Sequence, residues 1–399
     1  MFSDIHHLYQ IAQKPTRQII GLMSGTSLDG LDVAWCEING CGKQANITLK
    51  AFHTAPYDEA FKDEIRRVFA KKEIDFQHLT LLNAIIAERH ATIVNDCLQA
   101  WNCNALDIDL IASHGQTVFH APQVLHGMSH YPNATLQIGD GDHIARRTGI
   151  ITISDFRQKH VAAGGEGAPL ALYGDYFLFA NAVENRILLN IGGIANFTWL
   201  PADGHTESVF ATDTGPGNTL MDTYAQRHFG VPFDKDAQLA LAGVPDRGLV
   251  DTLKSEPFFK AGFPKTIGPE LFSPAWVDTA LAQLPKGTPA HNPYNIMASL
   301  ATLTAETVAE AILRATGGLV GAIYVSGGGA HNPFVINYLK ELLPKWVIKD
   351  MSEIGIPGDA KEAVLFAMLA NECVAGAAVP GMVLGGIPLV SMGKISLPN

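Results

Sequence analysis

The 399-residue chain is too long for one comfortable core and suits two lobes, each large enough to bury a sheet covered by helices. Its formal net charge of −11 argues against a nucleic-acid or anionic-membrane partner, so any phosphate recognition has to be local. Cys36, Cys41, Cys97, Cys103 and Cys373 form no Cys-x-x-Cys pair and leave an odd count, and the N-terminus lacks the basic-then-apolar layout of a signal peptide; a reducing cytoplasm is the expected location.

Taken in chain order, apolar and alternating runs predict strands at Ile19–Met23, Val33–Ile38, Ile47–Phe52, Leu110–Ala112, Leu136–Ile138, Ile150–Ile153, Ile187–Ile191, Val209–Thr212, Ala322–Val325 and Trp346–Lys349. Helical spacing falls between them at Asp58–Ala70, Leu79–Trp101, Asn218–His228, Met297–Ala315, Phe334–Leu342 and Lys361–Ala375. The class is therefore α/β. Residues Gly149–Ser154 are the expected crossover, giving an N-terminal lobe over 1–152 and a C-terminal lobe over 153–379, with 380–399 returning to the first lobe. The apolar stretch Val374–Val390 is interrupted by Pro380, Gly381, Gly385, Gly386 and Pro388, which suits a packed loop region and not a membrane span.

Three strand-to-glycine junctions carry the chemistry. Ile19–Asp32, IIGLMSGTSLDGLD, runs from an apolar strand into small, hydroxyl-bearing and acidic residues. Gly25, Thr26, Ser27, Leu28, Asp29, Gly30, Leu31 and Asp32 make a phosphate loop in this reading, with Asp29 and Asp32 placed to hold magnesium. The Walker pattern is absent, and a second strand follows instead of a helix. An ordinary Ser/Gly/Asp hairpin turn is the alternative for this loop alone. Arg186–Leu200, RILLNIGGIANFTWL, repeats the design around Gly192 and Gly193, and in AIYVSGGGAH the strand ends in Gly327, Gly328 and Gly329 before Asn332 opens a helix. Glycines there leave room for a purine and ribose against bare backbone.

These segments, with SHGQT (Ser113–Thr117), LQIGD (Leu136–Asp140), DFR (Asp155–Arg157), GAPL (Gly167–Leu170) and DTGPGN (Asp213–Asn218), resemble the anhydro-N-acetylmuramic acid kinase family; the matches run in the family's order over most of the chain. The resemblance implies a two-lobed actin/hexokinase-like (ribonuclease H-like) fold, with a mixed sheet in each lobe and the active site in the cleft. It implies an ATP- and Mg2+-dependent enzyme of murein recycling that opens the 1,6-anhydro ring and phosphorylates O6, giving N-acetylmuramic acid 6-phosphate. The implied partner is a small anhydrosugar, with neither nucleic acid nor membrane, and a homodimer is suggested.

Asp213, at the end of a predicted strand, is the expected base. By resemblance it matches the family's catalytic aspartate; a helix N-cap is its structural alternative. Glu362 falls on a second family carboxylate near the sugar, or is ordinary first-turn dipole chemistry. His114 and Asn218 are assigned to the substrate, as are Lys159 and His160, where the sequence departs from the family: DFRQKHVAAGGEGAPL has Lys159 where arginine is usual, His160 for aspartate and Glu166 for glutamine. A lysine offers one point charge where an arginine grips a carboxylate with two bonds. Either this position reads the lactyl carboxylate and sugar preference has changed, or the three residues form a compensated polar network. His126 and His130 have HxxxH spacing, but Pro122, Gly127 and Pro132 favour a surface loop over a metal pair. A levoglucosan-type kinase and a non-catalytic sugar or nucleotide sensor are the alternatives in function; retention of a base disfavours the sensor.

Overall fold

The computed structural model describes residues 4–168, 170–267, 271–285, 287–376, 383–384 and 387–399. After helix α1 (Asp4–Gln13), β1 (Thr16–Ser24), β2 (Gly30–Asn39) and β3 (Asn46–Pro56) form an antiparallel meander, with Met23 opposite Asp32 and Asn39 opposite Asn46. Helices α2 (Glu59–Arg66) and α3 (Phe76–Ala100) start where the carboxylates of Asp58 and Asp75 accept the otherwise orphaned N–H groups of Phe61 and His78. Strand β4 (Leu110–Ala121) lies parallel to β1; α4 (Gln123–His126) is a single turn leading into β5 (Ala134–Ile138), which pairs back on β4. Then come α5 (Gly141–Thr148), β6 (Thr152–Ser154) parallel to β4, α6 (Phe156–Ala162) and α7 (Ala171–Phe179).

A second sheet begins with β7 (Arg186–Ile191), β8 (Ile194–Leu200) and β9 (Phe210–Pro216), again an antiparallel meander. Helices α8 (Thr219–Phe229), α9 (Gln238–Leu241), α10 (Arg247–Lys254), α11 (Pro274–Gln283) and α12 (Pro293–Thr316) precede β10 (Ala322–Ser326), α13 (Pro333–Leu342) and β11 (Val347–Asp350). Helix α12 is long and apolar enough to cross a membrane, yet 89% of its apolar window is buried among the core residues of this unit. The chain closes with α14 (Lys361–Ala375), the short pair β12 (Val383–Leu384) and β13 (Ile387–Pro388), and β14 (Lys394–Ser396).

The larger sheet runs β14-β6-β4-β1-β2-β3 and the smaller β11-β10-β7-β8-β9. In both, the first hairpin is antiparallel and the fourth strand joins parallel beside the first, so β1, β2, β3, β4 and β6 have the order and directions of β7, β8, β9, β10 and β11. This is the duplicated mixed-sheet architecture that the resemblance implied. The turn after β1 and the turn after β7 occupy equivalent places in it.

The compact units are Met1–Phe179 with Gly355–Asn399, and Ala180–Ile354, which corrects the expected division at 152/153. Residues 153–179 belong to the first unit because β6 is hydrogen-bonded between β4 and β14. Glu362 belongs there too, since α14 packs on β1 so closely that a Cβ on Gly21 would lie 1.9 Å from the Ala363 carbonyl oxygen. Much of the proline- and glycine-broken stretch at 374–390, and Pro169 of the GAPL motif, lie outside the described residues.

Candidate active site

In the turn after β1, the eight expected loop residues divide by role. Leu28 and Leu31 are buried in the first unit's core, and Leu28 holds φ +61°, a left-handed conformation costly for a branched side chain. Their side chains anchor the loop in the core. Gly30 is a packing glycine: a Cβ there would sit 2.3 Å from the Ala55 carbonyl oxygen. Gly25 is open, with Ser27 Oγ the nearest atom to such a Cβ at 3.6 Å, and Thr26, Ser27 and Asp29 are exposed. Asp32 accepts a 2.6 Å bond from Thr54 Oγ1, while burial and the charges of Asp359 and Asp29 raise its pKa. A cation would relieve that repulsion. Magnesium takes hard oxygens and commonly needs only one or two carboxylates besides phosphate, so Asp29 and Asp32 fit it although no group of three ligating side chains occurs among the described residues.

In the second unit three turns meet. The Asn218 and Gly217 N–H groups donate to the Gly192 and Gly193 carbonyls at 2.7 and 2.9 Å. Gly327, at φ +81°, abuts the same turn: a Cβ would lie 2.6 Å from Asn190 Oδ1 and 2.7 Å from the Ile191 carbonyl oxygen. A Cβ on Gly193 would meet Thr219 Oγ1 at 2.5 Å, whereas on Gly328 it would meet only Asn218 Nδ2 at 3.3 Å. The result is a backbone-lined patch beside the N-terminus of α8, suited to an anion. Two assigned side chains are already engaged. Asn218 Nδ2 donates to the Ile191 carbonyl, bracing the turns, and Asn332 caps α13 by accepting the Val335 N–H at 3.1 Å.

Asp213 sits in the middle of β9, opposite Asn196, and not at the strand's end as expected. It does not cap α8, whose N-cap position is Asn218. Its N–H donates to the Lys265 carbonyl at 2.9 Å and its Oδ2 accepts the Ile267 N–H at 2.8 Å. Among the described residues Oδ1 has no hydrogen-bond partner. Half-burial raises the carboxyl pKa and the Ile267 bond opposes the rise.

Back in the first unit, His114 is buried and Nε2 accepts from Arg157 Nε at 3.1 Å and Nη2 at 3.0 Å. Burial and the guanidinium push its pKa down to about 3, so the ring is neutral. His114 thus braces Arg157, a correction to its expected direct role. Arg157 Nη1 donates to the Gly167 carbonyl at 2.8 Å; burial lowers its pKa to about 10 while Glu362 opposes the fall. Glu362 reaches solvent, yet the protein around it raises its pKa, against Lys361 and Arg157 and together with Asp32 and Asp175.

His160 is also corrected: it is fully buried, accepts the Gly167 N–H at Nδ1 (2.8 Å) and leaves Gly165 no room for a Cβ, which would lie 2.2 Å from the ring. Lys159 is exposed on α6 with its charge acting on Cys373, and Glu166 is exposed, so the three form no joint network. His126 bonds the Pro132 carbonyl and the Met128 N–H in a one-turn helix, as suits a surface loop. Arg157 is the residue that sequence reasoning missed; its signal was its place in the DFR motif.

Duplicated sheets with a small-residue turn after the first strand of each, and a glycine patch at the end of β10, define the actin/hexokinase-like class of fold. The family model for anhydro-N-acetylmuramic acid kinase matches residues 17–395, and the chain belongs to that family. A relative of that name from Pseudoalteromonas atlantica is 52% identical over 403 residues, covering 100% of both chains. Another from Caldanaerobacter subterraneus subsp. tengcongensis is 38% identical over 397 residues, covering 98% of this chain and 99% of its own. Among solved structures, a ligand-bound xylulose kinase from Lactobacillus acidophilus aligns with a TM-score of 0.45 at 12% identity, covering 96% of this chain and 94% of its own.

Proposed function

We propose that the protein uses ATP and water to convert 1,6-anhydro-N-acetylmuramic acid into N-acetylmuramic acid 6-phosphate and ADP, in the cytoplasm. Opening the ring by water alone would expel O6 as an alkoxide, a poor leaving group. Capture of O6 by the γ-phosphoryl group removes that difficulty, so the two steps belong together. Water adds to C1 as the C1–O6 bond breaks, O6 takes the phosphoryl group, and the P–O bond to ADP breaks.

The observation that carries the reading is Asp213, held through Oδ2 by the Ile267 N–H with Oδ1 left for water. Oδ1 takes the water proton as the C1–O bond forms. Gly192, Gly193 and Gly327–Gly329 offer backbone to the nucleotide, and Gly25, Thr26 and Ser27 offer N–H and hydroxyl donors to phosphate. Asp29 and Asp32 would hold Mg2+, which when bound supplies neutralisation of phosphate charge. Glu362 and Arg157 face the sugar, and Lys159 is proposed to read the lactyl carboxylate.

Purified protein incubated with ATP, Mg2+ and a panel of anhydrosugars, followed by mass spectrometry of the products in 18O-labelled water, tests this. The expected product carries one phosphate, with the label at C1. Phosphorylation of levoglucosan in preference would replace the substrate assignment, and nucleotide binding without any product would identify a sensor.

A further inference from the structure

We propose that Tyr57 and His90 are positioning residues for the Gly25–Asp29 turn, acting on it through Ser24 and Gln116. The inference rests on the reading of that turn as a phosphate site. Tyr57 touches both ends of it: its N–H donates to the Asp29 carbonyl at 3.1 Å, and its hydroxyl donates to Ser24 Oγ at 3.0 Å.

The remaining contacts fix the direction of every proton. Gln116 Nε2 donates to the Gly25 and Thr117 carbonyls at 3.2 and 3.3 Å, so Oε1 is the atom turned to Ser24, 2.6 Å away. An amide oxygen only accepts, and Ser24 therefore spends its one proton on Gln116. Ser24 Oγ must then accept from Tyr57. Tyr57 has no proton left for His90 Nε2 at 2.8 Å, so His90 donates from Nε2 as the neutral tautomer. The chain His90 to Tyr57 to Ser24 to Gln116 to the Gly25 carbonyl runs one way without a break. Tyr57 is 4% exposed and His90, Ser24 and Gln116 at most 1%, so water cannot replace a missing member. Within the turn only Leu28 is buried in the core, while Thr26, Ser27 and Asp29 are exposed. Its rigidity comes from behind.

Tyr57→Phe keeps the ring and the backbone bond and removes one donor. The expected result is a roughly tenfold fall in kcat/KM for ATP, mostly through KM, with calorimetric affinity for the sugar alone unchanged. His90→Leu should show a similar fall, and His90→Gln, whose amide can donate to the same hydroxyl, should recover most of it. Ser24→Ala combined with Tyr57→Phe should lose little more than the worse single variant, and the His90 pair keeps the test available if Tyr57→Phe folds poorly. Unchanged ATP kinetics in Tyr57→Phe, equal losses in His90→Gln and His90→Leu, or additive losses in the double variant would each overturn the proposal. Gly25→Val separates the two layers: if it too leaves ATP kinetics untouched, the turn is not the phosphate site; if it alone is damaging, the site stands and the positioning chain does not.

Discussion

A carboxylate that takes a proton from water must be ionised when it acts, and the half-burial of Asp213 works against ionisation. With Asp213 as the proposed base, its raised pKa should place the acid limb of the kcat profile above the ~3.9 of an ordinary aspartate. A group with a raised native pKa binds more protons folded than unfolded, so it lowers stability as pH rises through that window. Asp213→Asn should accordingly abolish turnover, by at least ~10², while melting no lower than wild type at pH 7 and keeping ATP affinity within a few-fold. An ATP affinity lost together with turnover would mean that Asp213 acts through nucleotide or metal. Lys159 is the second residue-scale case. Exposed ion pairs contribute ~0.2–1 kcal/mol, so Lys159→Ala should cost roughly 1.4-fold to fivefold in kcat/KM for the acid-bearing sugar and nothing for an acid-free one. Lys159→Arg should improve use of the former. Equal loss on both sugars would remove the proposed carboxylate contact.

At the scale of elements, the glycines separate into those the fold needs and those a ligand needs. Gly30→Ala and Gly327→Ala push a Cβ into backbone atoms at 2.3 and 2.7 Å, so both should lower the melting temperature before any kinetic effect is seen. Gly328→Val meets little and should fold normally with a raised KM for ATP; wild-type ATP kinetics in that variant would take the turn out of the nucleotide site. The meanders were legible in sequence because their strands are apolar or alternating runs and the first hairpin of each sheet closes at a small-residue turn. Helix α7, ALYGDYFLF, was not, since apolar residues on every side erase the 3.6-residue period; α5 buries Gly141, Ile144, Ala145 and Thr148 at helical spacing, but in eight residues only Ile144 and Ala145 are apolar, too few to stand out. The site divides in the same way. Its turns announce themselves locally, but Arg157 and His114 are separated by 43 residues and Tyr57 and His90 by 33, and no local pattern links them.

For the whole molecule, the buried histidines are unevenly shared. His90, His114 and His160 all lie in the first unit, with pKa values lowered to about 3, 3 and 4 by burial. Below pH ~6.5 the unfolded chain takes up protons that these rings refuse, so the stability they allow is complete above that pH and is lost as pH falls toward about 3. Each contributes a slope of roughly 1.4 kcal/mol per pH unit between its folded and unfolded pKa. The first unit should therefore melt first in acid, with Trp35 and Trp101 reporting its loss and Trp199 and Trp346 the second unit's. Simultaneous loss of both signals at pH 5 would contradict this. The boundary near 179 was hidden in sequence because β6 is held by β4 on one side and by residues 394–396, at the far end of the chain, on the other.

That pairing also sets an order of events on the ribosome. The sheet begun by β1 lacks its last strand, and β1 lacks the helix that covers Gly21, until residues 361–396 have been made. At ~5–20 residues per second, the nascent first unit waits on the order of 10–40 s beyond Phe179 with an apolar strand face uncovered. The contiguous second unit can complete itself during that wait. The unit whose strands are made first is thus the last of the two to finish folding.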